Sequence, residues 1–121
     1  MKVLLFTREY PPYVYGGAGV HVEYLSGELA KLMDVEVRCF GNQDTTNDGV
    51  RVKGYPFGKG SFAQVDAKLS GALDTFEANL ATLGARVDAD LVHVHTWYAH
   101  LGGILAKLLY GVPLVHTVHS L

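Results

Sequence analysis

Four apolar residues in unbroken succession, Val3–Phe6, stand near the start of the chain. A run so short and so uniformly apolar suits a strand buried on both faces, as in parallel sheets covered on both sides by helices. Comparable strand signals return at Val35–Phe40, Val50–Tyr55, Leu91–His95 and Leu114–Val118. In the second of these, Val35, Val37 and Cys39 alternate with Glu36, Arg38 and Phe40; the third reads as an edge strand. Between them lie helical spacings: Val22, Leu25, Leu29 and Leu32; a long series Phe62, Val65, Leu69, Leu73, Phe76, Leu80, Leu83 and Val87; and Leu101–Leu109. Strands separated by helices define βαβ units, whose right-handed crossovers place helices on both faces. The expected architecture is therefore α/β: a Rossmann-like parallel sheet with strands in the order third, second, first, fourth, fifth. Ligands of such sheets collect at the carboxyl ends of the strands.

Local signals refine this outline. Ser61 is expected to cap the long helix over Ser61–Val87 and Gly71 to weaken its middle. The segment 41–49, GNQDTTNDG, reads as a polar turn, and Gly111 with Pro113 as a helix stop. The 121 residues suit one domain, and 49% hydrophobic against 18% charged residues is enough to build a core. A net charge of −2 without a basic run argues against nucleic acid and anionic membrane surfaces as partners. The single cysteine, Cys39, excludes an internal disulfide and suits a reducing cytoplasm. The opening MKVLLF is too short and too soon followed by Arg8 and Glu9 for a signal peptide. No apolar stretch reaches the roughly 18 residues of a membrane span.

Two places carry chemistry. The loop after the first strand, TREYPPYVYGGAGVH, brings Gly16, Gly17 and Gly19 before a helix. A dinucleotide fingerprint needs G-x-G-x-x-G; Gly17 and Gly19 match, but Val22 stands at the third position. No Gly-Lys-Ser/Thr follows, so a P-loop is excluded, and no nicotinamide, flavin or other cofactor is expected. Two accounts remain: a phosphate site at a free helix start, or a surface loop whose glycines supply positive φ. The second place is rich in histidine. His93 and His95 share a strand face, and His116 and His119 flank the end of the last strand. His93 and His116 read as hydrogen-bonded core residues, whereas His95 and His119, at strand ends, are placed to meet a ligand. A metal-dependent hydrolase is the competing account, but no carboxylate accompanies the pair, and no metal is expected. Trp97 and Tyr98, by spacing alone, read as a packed plug.

TREYPPYVYGGAGVHVEYLSGELAKL resembles the opening of bacterial and archaeal glycogen synthases and related family-four glycosyltransferases. LVHVHTWYAHLGGILAKLLYGVPLVHTVHSL is similar to the stretch of the same family between its fourth and fifth strands. The resemblance implies the N-terminal, acceptor-side domain of a GT-B fold over residues 1–121. It implies a retaining transferase that moves glucose from ADP-glucose onto an α-1,4-glucan. Gly16 and Gly17 match the glycine pair near the donor diphosphate, His119 the histidine at the donor sugar, and Trp97 the acceptor-side tryptophan, with His95 beside it. Starch-type synthases often carry a lysine where Tyr15 stands and Asp-Trp-His where Thr96, Trp97 and Tyr98 stand. These departures resemble the branch that makes maltose 1-phosphate from ADP-glucose and glucose 1-phosphate.

The family's acidic motif and basic donor clamp belong to a second domain that these residues do not include. The chain is thus expected to be part of a larger enzyme and inactive alone, with a freestanding phosphate- or glycan-binding module as the alternative. The apolar segment Leu114–Val118 is expected to form an open sheet edge through which the chain self-associates.

Overall fold

The computed structural model describes residues 1–120. A six-stranded sheet runs through it: β1 (Lys2–Thr7), β2 (Asp34–Phe40), β3 (Asp44–Asn47), β4 (Val50–Tyr55), β5 (Leu91–His95) and β6 (Leu114–Thr117). The helices are α1 (Gly17–Leu29), α2 (Ala67–Thr82) and α3 (His100–Tyr110), with a 3₁₀ turn at Trp97–Ala99. The spatial order is β3-β4-β2-β1-β5-β6, and every pair is parallel except β3 with β4. This is the expected third–second–first–fourth–fifth order with one strand added. β1 lies inside the sheet, which explains its uninterrupted apolar run. Val3 and Leu5 join Val22, Val35, Val37, Cys39, Val50 and Val52 in the core under α1. Leu4 and Phe6 join Val92, Val94, Ala99 and Ala106 under α2 and α3.

Three expectations are corrected. The segment 41–49 is not a plain turn, since Asp44–Asn47 forms β3 and pairs antiparallel with β4. All four β3 residues are exposed, so the strand leaves no apolar signature. Its cause is the two-residue connection Asp48-Gly49, with φ of 50° and 82°, the twist that a tight hairpin demands. β4 is consequently not the edge. The α1 signal also shifts: the helix begins at Gly17 and ends before Leu32, which is exposed.

The long helix is shorter than its periodicity and turned the other way. Asp66 caps it, its side chain accepting from the Lys68 N–H at 2.8 Å; Ser61 lies outside. Its buried face is Thr75, Ala78, Asn79 and Thr82, whereas Leu69, Phe76 and Leu80 of the expected core stripe are exposed. Polar anchoring decides the orientation. Arg38, only 2% exposed, donates from Nη1 to the carbonyls of Thr82 (2.7 Å) and Ala85 (2.9 Å) and from Nη2 to that of Arg86 (2.7 Å). Its Nε pairs with Glu36 at 3.0 Å. A cation among the free carbonyls at and after a helix end satisfies acceptors that have no partner within the helix. At the next helix end the expected stop is present: Gly111 closes α3 with φ 69°.

Arg38→Met is expected to destabilise the fold by about 3 kcal/mol, since it leaves buried carbonyls and Glu36 without their donor. Urea denaturation followed by circular dichroism measures it. An unchanged midpoint would remove Arg38 from its anchoring role.

Candidate functional site

The carboxyl ends of β1, β5 and β6 and the start of α1 converge. Register aligns Thr7 with His95 and His95 with Thr117, so the loops that leave these strands sit side by side. The first of them is held by Glu9. Its Oε1 accepts the N–H groups of Tyr15 and Gly16, the latter at 2.9 Å. Gly19 lies so close that a Cβ there would stand 2.9 Å from the Glu9 Cβ. Gly16 and Gly17 differ: neither has positive φ, and a Cβ on either would meet nothing within 4 Å. Both are exposed, as in a surface loop, but neither supplies the positive φ that account expected. Gly16 is the N-cap of α1, with no side-chain cap and no acid in the first turn. The Glu9 carboxylate sits on the N-cap N–H, while the N–H groups of the first turn beyond it have no side-chain acceptor.

Beside it lies a cluster of imidazoles. His21, one turn after Gly17 on the same helix face, has its ring 5.7 Å from that of His95 and 5.2 Å from that of His119. His95 and His119 are joined by a hydrogen bond between Nδ1 and Nε2 at 3.0 Å. The His93 ring lies tilted against that of His95, 4.0 Å between centroids, and bonds Thr117 Oγ1 at 2.7 Å. One nitrogen each from His21, His95 and His119 lie within 4.8 Å of one another, a spacing that a metal ion can bridge. Two of those rings are instead engaged with each other.

The burial of His95, His93 and His116 departs from expectation. His95 is 0% exposed, so it does not face a ligand directly. His93 and His116 are only half-buried; His93 has its hydrogen bond, while the His116 ring lies tilted against that of His100 at 4.1 Å and its Nε2 has no protein partner. Strand alternation places His93 and His95 on one face but says nothing of which end α1 covers. His119 is exposed, as its position past the strand implies. Burial, followed by the neighbouring charges of His93, His119, His21 and His116, depresses the His95 pKa to about 3. Burial also lowers the pKa of His93 and His119, with His21 as the leading charged neighbour of each.

Backbone strain gathers at the same place. Thr96, directly after His95, has φ 66° and ψ 164°, and His119 has φ 64°. Such conformations cost of order 1–3 kcal/mol in residues with a side chain and collect at functional sites. His95 Nε2 and Thr96 Oγ1 are buried without a protein partner.

On the other flank is a row of flat groups. Phe40 and Phe57 stack at 5.6 Å, the Arg8 guanidinium lies 5.9 Å from the Phe57 ring and 4.3 Å from that of Tyr98, and Trp97 stacks on Tyr98 at 4.3 Å. Trp97 is 53% exposed and is no plug. Asn79 fixes this turn from beneath: Nδ2 donates to the Tyr98 carbonyl at 2.6 Å and Oδ1 accepts from Gly102 N–H at 2.8 Å. Arg8, Glu9, Thr96 and Asn79 were not legible as site residues. Their partners lie across loops at separations with no fixed sequence pattern.

An open helix start and strained loops thus meet at the carboxyl edge of a Rossmann-like sheet, the edge at which ligands of such sheets collect. The chain belongs to glycosyltransferase family 4, whose family description matches residues 15–121. It is 48% identical over its whole length to alpha-maltose-1-phosphate synthase of Mycolicibacterium smegmatis, of which it spans 29%. It is 33% identical over 99% of its length to glycogen synthase of Mycobacterium tuberculosis, covering 34% of that protein. D-inositol 3-phosphate glycosyltransferase of Gordonia bronchialis matches 88% of the chain at 34% identity, over 25% of its own length. In structure, the chain matches sucrose-phosphate synthase from Thermosynechococcus elongatus with a TM-score of 0.67, over 99% of this chain and 33% of that one, at 16% identity. That likeness shows a common fold, the Rossmann-like architecture of a GT-B glycosyltransferase. Among the described residues no helix is long and apolar enough to cross a membrane.

Because the native pKa of His95 lies below the unfolded value of 6.5, the unfolded chain binds the proton first. Stability is therefore lost as pH falls from about 6.5 toward 3, by about 2 kcal/mol between pH 6 and pH 4.5 from this residue. Urea midpoints at the two pH values should differ less in His95→Asn than in the wild type. An equal pH response in both would contradict the buried, neutral imidazole.

Proposed function

We propose that the chain is the acceptor-side unit of a retaining glucosyltransferase that takes glucose from a nucleotide sugar, ADP-glucose. The observation that carries this reading is the uncapped helix start at Gly16–Gly17 beside the imidazole cluster that ends in His119. Backbone N–H groups and the helix dipole favour a diphosphate there, and two glycines with open space above them let it approach. The sugar attached to that diphosphate then lies toward His21 and His119, with His119 in contact with it. Trp97 serves the acceptor side. His95 acts beneath the surface by orienting His119. The reading assigns no metal to the cluster; an ion there would have to replace the hydrogen bond between His95 and His119.

For the acceptor, an α-1,4-glucan and glucose 1-phosphate are the two candidates. Identity of 48% to a maltose-1-phosphate synthase against 33% to a glycogen synthase favours glucose 1-phosphate. The chain spans less than a third of the maltose-1-phosphate synthase it matches, so the reaction is proposed for the complete enzyme. Leaving-group stabilisation and a closed cleft need more groups than these residues supply, so the 121 residues alone turn over no substrate.

In the complete enzyme, His119→Ala is expected to lower kcat about 10²-fold or more, in the range for one preorganised polar group. Gly17→Val is expected instead to raise the KM for ADP-glucose, since its side chain fills the space the diphosphate needs. Steady-state kinetics separate the two; a His119→Ala enzyme with full kcat, or a Gly17→Val enzyme with unchanged donor KM, would remove that residue from the site.

The sheet edge supports a further part of this reading. β6 is the terminal strand, and no described residue pairs with its outer side. Leu114–Val118 carries no charge, and Val115 and Val118 are exposed. Open apolar edges pair with other chains. Light scattering of the 121-residue chain should report a mass above that of one chain, and Val115→Lys should shift it toward monomer. A monomer at high concentration would refute self-association through β6.

A further inference from the structure

Arg8 stands in the loop that leads to Gly16 and Gly17 but packs on Phe57 and Tyr98 and not on the histidines, and nothing above assigns it a ligand. It borders a cavity of about 230 Å³ lined by Arg8, Tyr13, Tyr15, Phe40, Gly41 and Phe57. Four of these six residues are aromatic, and Arg8 is the one with a charge. Among the described residues, the Arg8 guanidinium makes no salt bridge and no side-chain hydrogen bond. Its neighbours are the faces of Phe57 and Tyr98. Ring faces hold a guanidinium in place while leaving its N–H fork free. By contrast, Arg38 and Arg51 spend their donors on carbonyls and carboxylates. The carboxylate nearest in sequence, Glu9, is engaged with the glycine-loop amides.

A free guanidinium fork recognises a phosphate, and aromatic walls suit the apolar face of a pyranose. We infer that this cavity is a subsite for a sugar phosphate, with Arg8 on the phosphate and Tyr13, Tyr15 and Phe57 around the sugar ring. Resting on the glucosyl-transfer reading, this makes Arg8 the residue that selects glucose 1-phosphate over a neutral glucan end. The donor diphosphate, at the start of α1, is a separate anion. Trp97, stacked on Tyr98 and so one ring from Arg8, connects the subsite to the acceptor side of the reaction. Tyr13 is held toward the cavity's rim by its hydroxyl, which donates to Asn42 Oδ1 at 2.7 Å.

The test is calorimetric titration of the complete enzyme with glucose 1-phosphate, glucose, inorganic phosphate and ADP-glucose, using the wild type, Arg8→Gln and Arg8→Lys. The wild type should bind glucose 1-phosphate about tenfold or more tightly than either glucose or inorganic phosphate. Arg8→Gln should lose that preference, with unchanged ADP-glucose affinity and melting temperature, and Arg8→Lys should recover part of it. Equal binding of glucose and glucose 1-phosphate by the wild type would overturn the subsite. So would a preference kept by Arg8→Gln, or a loss of ADP-glucose affinity in step with that of glucose 1-phosphate. If Arg8→Gln unfolds, Tyr13→Ala and Phe57→Ala must weaken glucose 1-phosphate selectively, and failure of both to do so overturns the subsite as well. Product analysis is a separate arm. Arg8-dependent binding without any maltose 1-phosphate formed would refute the proposed reaction and leave the subsite standing.

Discussion

The buried Arg38 guanidinium fixes more of this molecule than any other side chain. A charge removed from water is tolerated only with its donors satisfied, and here three carbonyls at and just after the C-terminus of α2, together with Glu36, do so. The helix is thereby pinned across the sheet with Thr75, Ala78, Asn79 and Thr82 inward. That orientation delivers Asn79 to the Tyr98 carbonyl and to the first turn of α3. The aromatic turn Trp97–Tyr98 is held in turn over Arg8. A contact at one end of α2 thus sets the geometry of the site through a chain of specific hydrogen bonds, with little help from apolar burial along the helix.

The two flanks of the site are separated by consecutive residues of one loop. Arg8 belongs to the aromatic row, while Glu9 holds the amides of Tyr15 and Gly16 and packs against Gly19. Glu9 thereby shapes the helix start without occupying it, since the carboxylate takes the amides that precede the first turn. No residue of the first turn is itself acidic, and the charge of Glu9 is spread over the two amides it accepts from. Neighbouring opposite charges are in this way kept on different tasks, one as a free cation and the other as a backbone clamp.

The order of the sheet was readable because each parallel strand buries an apolar segment and each crossover helix carries its own periodicity. Val3–Phe6 in the interior and Gly111 closing α3 follow from residue type alone. β3 was not readable, because its four exposed residues bury nothing and Asp48-Gly49 is the only local instruction. The leucines of α2 misled for the opposite reason: a clean apolar stripe gives way to small and polar residues that fit against Arg38 and the Tyr98 turn. At the site, Gly16, Gly17 and His119 stand exposed where loop position put them, Trp97 is exposed where spacing alone read a packed plug, and His95 is buried. The contacts of Glu9 and Asn79 depend on where loops fold in space, which no spacing encodes.

The burial of His95 sharpens what a histidine at this position can do. With its pKa depressed to about 3, it is neutral near pH 7, so its ring has one N–H and one bare nitrogen. Its Nδ1 faces Nε2 of His119, whose backbone already sits at positive φ. A charged His95 would force His119 to accept and would repel a protonated ring at His119 and at His21. A neutral one leaves the pair free to settle into whichever tautomer the exposed ring of His119 requires. In the proposed site His95 would accordingly act as a positioning residue, reaching a ligand only through the exposed ring of His119 to which it is hydrogen-bonded.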